Sequence, residues 1–146
     1  MKLNTASSAI SFSKKLEEDS LRLYEQLAPE YPEGRETFLS LAEENRRNEK
    51  AVARAYYGVI SDALEGGFSF DNMETDDFSY ETGLPQDASY LVVLDMVIAM
   101  EEKIMAFYST AAEASKSLLA DVPRAFERIA RRRGERIEKL RALVRT

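Results

Sequence analysis

The chain has no histidine and no cysteine, and these two absences exclude more chemistry than any residue present suggests. Without cysteine there are no disulfides, iron–sulfur centres, zinc knuckles or thiol nucleophiles. Without histidine there is no imidazole triad, no histidine general base and none of the usual zinc or non-haem iron sites. No apolar run approaches the length of a membrane span. The first residues, Met1–Ala6, lack the apolar core of a secretion signal, so the cytoplasm is the expected location.

What is present is the balance of a helix-rich globule, 45% hydrophobic and 32% charged. A length of 146 residues predicts one domain over 1–146, large enough for a continuous core. The net charge of -6 repels nucleic acid and anionic membrane surfaces, so neither is an expected partner.

Apolar residues recur with helical period through four segments separated by breakers. The first runs from about Thr5 to Ala28 and stops at Pro29 and Pro32. The second runs from about Glu33 to Leu64 and stops at Gly66 and Gly67. The third follows Pro85, with Asp87 as its cap, and reaches about Ser117. The fourth starts near Asp121, with Pro123 in its first turn, and continues to the C-terminus. At about 1.5 Å per residue these are rods of roughly 35–48 Å, similar enough to lie side by side. The first and third connections are short and predict antiparallel hairpins. The middle one, about 65–86, is long enough to traverse a bundle. An all-α four-helix bundle of two hairpins joined by one long crossover is the ferritin-like topology.

The second half echoes the first. Glu17 and Tyr24 lie seven residues apart, as do Glu101 and Tyr108. Leu23-Tyr24 matches Phe107-Tyr108, and Phe38–Ala42 lines up with Phe126–Ala130. A duplicated hairpin is the simplest explanation.

Lys15–Tyr24 resembles the first metal-ligand helix of rubrerythrins, and Ala99–Tyr108 resembles the third. Phe38–Asn48 is similar to that family's Leu-Ala-Glu-Glu-Glu-x-x-His segment. The resemblance covers most of the chain outside the crossover. It implies metal ligands at Glu17 and Glu101, with Tyr24 and Tyr108 packed behind them. It also implies two Glu-x-x-His pairs, whose spacing points two ligands at one spot. Those pairs fall at Asn45/Asn48 and Arg133/Arg136. Asparagine is a weak neutral ligand, and arginine stays protonated and repels cations. The expectation is therefore no metal pair and no cofactor. In its place the sequence offers a core in which Arg133 and Arg136 neutralise Glu17 and Glu101, with the two asparagine amides filling leftover hydrogen bonds. A guanidinium fork is suited to holding a carboxylate bidentately.

Arg133 falls within the arc of Phe126, Ile129, Ala130, Ile137 and Leu140 and is expected to point inward; Arg136 lies nearer its edge and can snorkel to water. Asn45 and Asn48 share the stripe of Phe38, Leu41 and Val52. The run Arg131-Arg132-Arg133 lacks interleaved aromatics and is interrupted by Glu127 and Glu135, which predicts a solvated face with i,i+4 pairs. In the crossover, Phe68, Phe70, Phe78 and Tyr80 are expected to pin the chain to the bundle. Its acids Glu65, Asp71, Glu74, Asp76, Asp77 and Glu81 would face water, without the spacing of a calcium loop.

Three functional readings follow. The first is a non-catalytic, metal-free bundle acting through its surface, as a homodimer or with a protein partner. The second is an oxidoreductase of peroxidase or oxidase type, as the resemblance implies, holding one weak iron or manganese on Glu17 and Glu101 with Glu44 or Glu49. The third is a binding module whose core arginines hold an anionic small molecule between helices.

Overall fold

The computed structural model describes residues 6–60, 75–78, 87–115 and 121–145. Among them are four long helices and no strand: α1 (Ala6–Glu30), α2 (Arg35–Ile60), α3 (Tyr90–Ala114) and α4 (Asp121–Arg145). Each helix buries one stripe at three- and four-residue spacing. On α1 the stripe is Ala9, Ser13, Leu16, Glu17, Ser20, Leu23, Tyr24 and Leu27; on α4 it is Val122, Phe126, Ile129, Arg133, Arg136, Ile137 and Leu140. Charged side chains thus occupy the middle of both stripes, with Ser13 and Ser20 beside Glu17 on α1 and apolar residues toward the ends.

The contacts fix helix directions. Arg46 of α2 meets Glu25, and Asn48 meets Glu17, so α1 and α2 are antiparallel. Phe107 of α3 packs on Phe126 of α4 and Glu101 on Arg133, again antiparallel. Ser13 of α1 meets Tyr108 and Tyr24 meets Glu101, so α1 and α3 are antiparallel as well. It follows that α2 and α3 point the same way. Of the long connection, the short 3-10 turn Thr75–Phe78 is described, and Phe78 is buried with its ring edge-on to Phe107 at 5.5 Å. The expected end of α2 at Leu64, the remaining crossover aromatics Phe68, Phe70 and Tyr80, and Glu65, Asp71, Glu74 and Glu81 lie outside the described residues.

Several boundaries differ from the sequence expectation. α1 continues through Pro29 to Glu30, because a proline in the last turn removes one donor while Tyr31 N–H still bonds Leu27 O at 3.0 Å. A single 3-10 turn, Pro32–Gly34, then precedes α2, which begins at Arg35 rather than Glu33. Gly34 leaves room here for two aromatic rings. A Cβ at that position would lie 2.8 Å from the Tyr90 hydroxyl and 2.9 Å from Phe38 Cε2. The cap of α3 is Ser89, not Asp87: the Ser89 hydroxyl accepts from Val92 N–H at 3.2 Å, while Asp87 adopts φ 60 in the approach to the helix. α3 ends at Ala114, short of Ser117, where the Ser115 hydroxyl donates to Ala112 O at 3.2 Å. No described helix is long and apolar enough to cross a membrane.

Candidate functional site

The polar residues in the four stripes meet at one level of the bundle. Glu17, Asn45, Asn48, Glu101 and Arg133 have no exposed surface, and Arg136 is 2% exposed. Every position singled out by the rubrerythrin resemblance is therefore inside, and the helices bring all of them together.

Arg133 is the hub. Its Nη1 donates to both oxygens of Glu101 at 2.7 Å, and its Nη2 donates to Glu17 Oε2 at 2.7 Å. The expected fork onto one carboxylate is not formed. The guanidinium instead divides its two terminal nitrogens between two carboxylates and bridges α1 to α3. Arg136 Nη1 adds bonds to Glu101 Oε1 at 3.0 Å and Asn45 Oδ1 at 2.8 Å. Its Nη2 meets Glu44 Oε1 at 2.9 Å. Arg136 does not snorkel to water, because α2 covers it and the half-buried Glu44 supplies the outer partner. Its guanidinium also lies 5.9 Å from the centre of the Tyr24 ring.

The two tyrosines complete the network crosswise. Tyr24 of α1 donates to Glu101 of α3, and Tyr108 of α3 donates to Glu17 of α1 at 2.6 Å. With that proton committed, Ser13 donates to the Tyr108 oxygen at 2.8 Å. Asn45 Nδ2 reaches Ser20 Oγ at 2.7 Å and the Glu17 carbonyl at 3.2 Å, while Asn48 Nδ2 makes a long bond to Glu17 Oε1 at 3.4 Å. Three buried polar atoms at the centre have no partner: Asn48 Oδ1, Arg133 Nε and Arg136 Nε. Ser13 and Ser20 went unnoticed in the sequence; their signal was two hydroxyls flanking Glu17 on its own buried stripe.

The electrostatics follow from burial and pairing. Burial alone would raise the Glu101 carboxyl, but Arg133 and Arg136 outweigh it and hold it below the usual carboxylate range. Burial opposes the charge of Arg133, yet Glu101 and Glu17 hold the guanidinium protonated well above its ordinary value. Burial raises both Tyr24 and Tyr108 far above the phenol range, assisted by Glu101 and Glu17 respectively. The tyrosines are neutral donors, Glu101 is an anion, and Arg133 and Arg136 bring the positive charge to the cluster.

This donor set does not fit a metal pair. A cation between Glu17 and Glu101 would have to displace Arg133, would still face the Arg136 guanidinium on Glu101, and would find only neutral amides in Asn45 and Asn48. Among the described residues there is no group of three or more acidic side chains placed to hold a metal ion. Arg131 and Arg132 are exposed, as a solvated face requires, but neither forms an ion pair among the described residues. No family model matches the chain, and neither the curated proteins nor the solved structures give a match.

Proposed function

We propose that this chain is a ferritin-like bundle related to the rubrerythrins, in which an arginine–glutamate core has replaced a two-metal site and catalysis has been lost. The observation that carries the reading is Arg133, whose guanidinium bonds Glu101 and Glu17 at 2.7 Å in the space between them. The shared direction of α2 and α3 supports it, since two hairpins so arranged need one long crossover. The crosswise Tyr–Glu pairs support it too, being the pattern a duplicated hairpin produces when its halves face each other.

An oxidoreductase holding one iron or manganese on the same glutamates is the weaker reading. Glu101 already accepts from two guanidiniums and Tyr24, and Glu44 is committed to Arg136. A bundle of this kind works through its outer faces, as a homodimer or with a protein partner.

The test is elemental analysis of protein produced with iron and manganese supplied in excess. The proposal expects less than roughly a tenth of an equivalent of either metal per chain after dialysis. A whole equivalent retained through dialysis would reject it in favour of the oxidoreductase.

A further inference from the structure

On the outer side of Arg136, between α2 and α4, lies an open cleft of about 380 Å³. Its charged lining is Arg47, Arg132, Arg136 and Lys139 against Glu44 and Glu135. Positions 132, 136 and 139 follow one another at four- and three-residue steps, so α4 presents them as a ladder along one face. Arg47 adds a fourth cation from α2. Arg47, Arg132 and Lys139 form no ion pair among the described residues, whereas Arg46 and Arg141, their neighbours on the same helices, are each paired with two acids. In a protein of net charge -6, four cations converge here on two carboxylates.

Arg136 makes this more than a basic surface. It is 2% exposed and anchored inward through Nη1 to Glu101 and Asn45, with Nε unpartnered. Toward the cleft its Nη2 holds Glu44, a side chain that is 29% exposed. A guanidinium fixed from behind is a pre-oriented donor for an oxyanion. Glu44 occupies that donor with a single negative charge, and Glu135 is the one other carboxylate in the lining to set against Arg47, Arg132 and Lys139.

We propose that the cleft binds a small molecule bearing a phosphate or diphosphate group, which displaces Glu44 from Arg136 and takes Arg47, Arg132 and Lys139 as further partners. The volume is that of a small-ligand site. Among the described residues no aromatic side chain lines it for base stacking, and the overall negative charge opposes a long polyanion. The site uses the outer face of the buried cluster and does not depend on whether the core once held metals.

Titration calorimetry of the full chain with pyrophosphate, at constant ionic strength, tests this. The expected result is one saturable site per chain. Arg132→Gln combined with Lys139→Gln weakens it by at least about tenfold, and Glu44→Gln tightens it about three- to tenfold by removing the competing carboxylate. Lys14→Gln, on the exposed face of α1, leaves affinity unchanged. Inorganic phosphate and citrate, run alongside, separate recognition of the phosphoryl group from recognition of charge alone. Absence of saturable binding up to about 10 mM, equal affinity for citrate, or affinity indifferent to the Arg132/Lys139 pair overturns the proposal. Circular dichroism on each variant confirms that the helices compared are intact.

Discussion

Tyr24 on α1 gives its hydroxyl proton to Glu101 on α3, and that same carboxylate takes two arginines from α4. Tyr108 and Glu17 repeat the relationship with the helices exchanged. Each tyrosine therefore supports the glutamate of the facing helix, not the one seven residues away on its own. A buried hydrogen bond to a charged acceptor contributes about 1.5–3 kcal/mol. Tyr24→Phe and Tyr108→Phe should each lose about that much in urea denaturation. Unchanged midpoints would mean that the hydroxyls contribute nothing.

Removing Arg133 exposes the cost of the cluster. Arg133→Met leaves Glu17 and Glu101 buried side by side without the cation that bridges them, and should cost about 3–5 kcal/mol. Adding Glu17→Gln and Glu101→Gln to that variant removes the uncompensated charge and should recover most of the loss, since buried ion clusters contribute little net stability over neutral packing. A triple variant no more stable than Arg133→Met would place the energy in packing instead.

Acid should release the cluster in a defined direction. Glu101 is held below the ordinary carboxylate range by Arg133 and Arg136 against the opposing effect of burial. A carboxyl depressed in the fold stabilises fully above its unfolded pKa of about 4.3, and that contribution disappears as pH falls toward the folded value. Wild-type stability should therefore fall below about pH 4.5 more steeply than that of Glu101→Gln, which starts lower at neutral pH. Parallel acid profiles for the two proteins would remove Glu101 from the account.

The turn between α1 and α2 gives a test remote from the charges. Tyr31 donates to Ala88 O at 2.7 Å and stacks on Tyr90, whose ring also lies against Phe38. Gly34 lies within this group, and a methyl there would press on both Tyr90 and Phe38. Gly34→Ala should cost about 1–3 kcal/mol by overpacking and leave the arginine cluster unaffected. A neutral result in thermal melting would show that the rings can part.

Asn45 and Arg133 were legible because helical spacing puts them on apolar stripes, whereas Glu17 and Glu101 were singled out by the rubrerythrin resemblance. Arg136 was only half legible. One helix taken alone shows it at the edge of a stripe, and only the packing of α2 on α4 brings Glu44 over it. The crosswise tyrosine bonds needed the antiparallel register of α1 and α3, which no single-helix pattern contains. Asp87 was the expected cap of α3, and only the backbone shows that Ser89 takes that place.

Crystals soaked in manganese or iron and recorded at the metal absorption edge address the central claim most directly. The account predicts no anomalous peak between Glu17 and Glu101, and continuous density for the Arg133 side chain reaching both carboxylates. A peak bridging those two glutamates, with Arg133 swung out of the bundle, would contradict it.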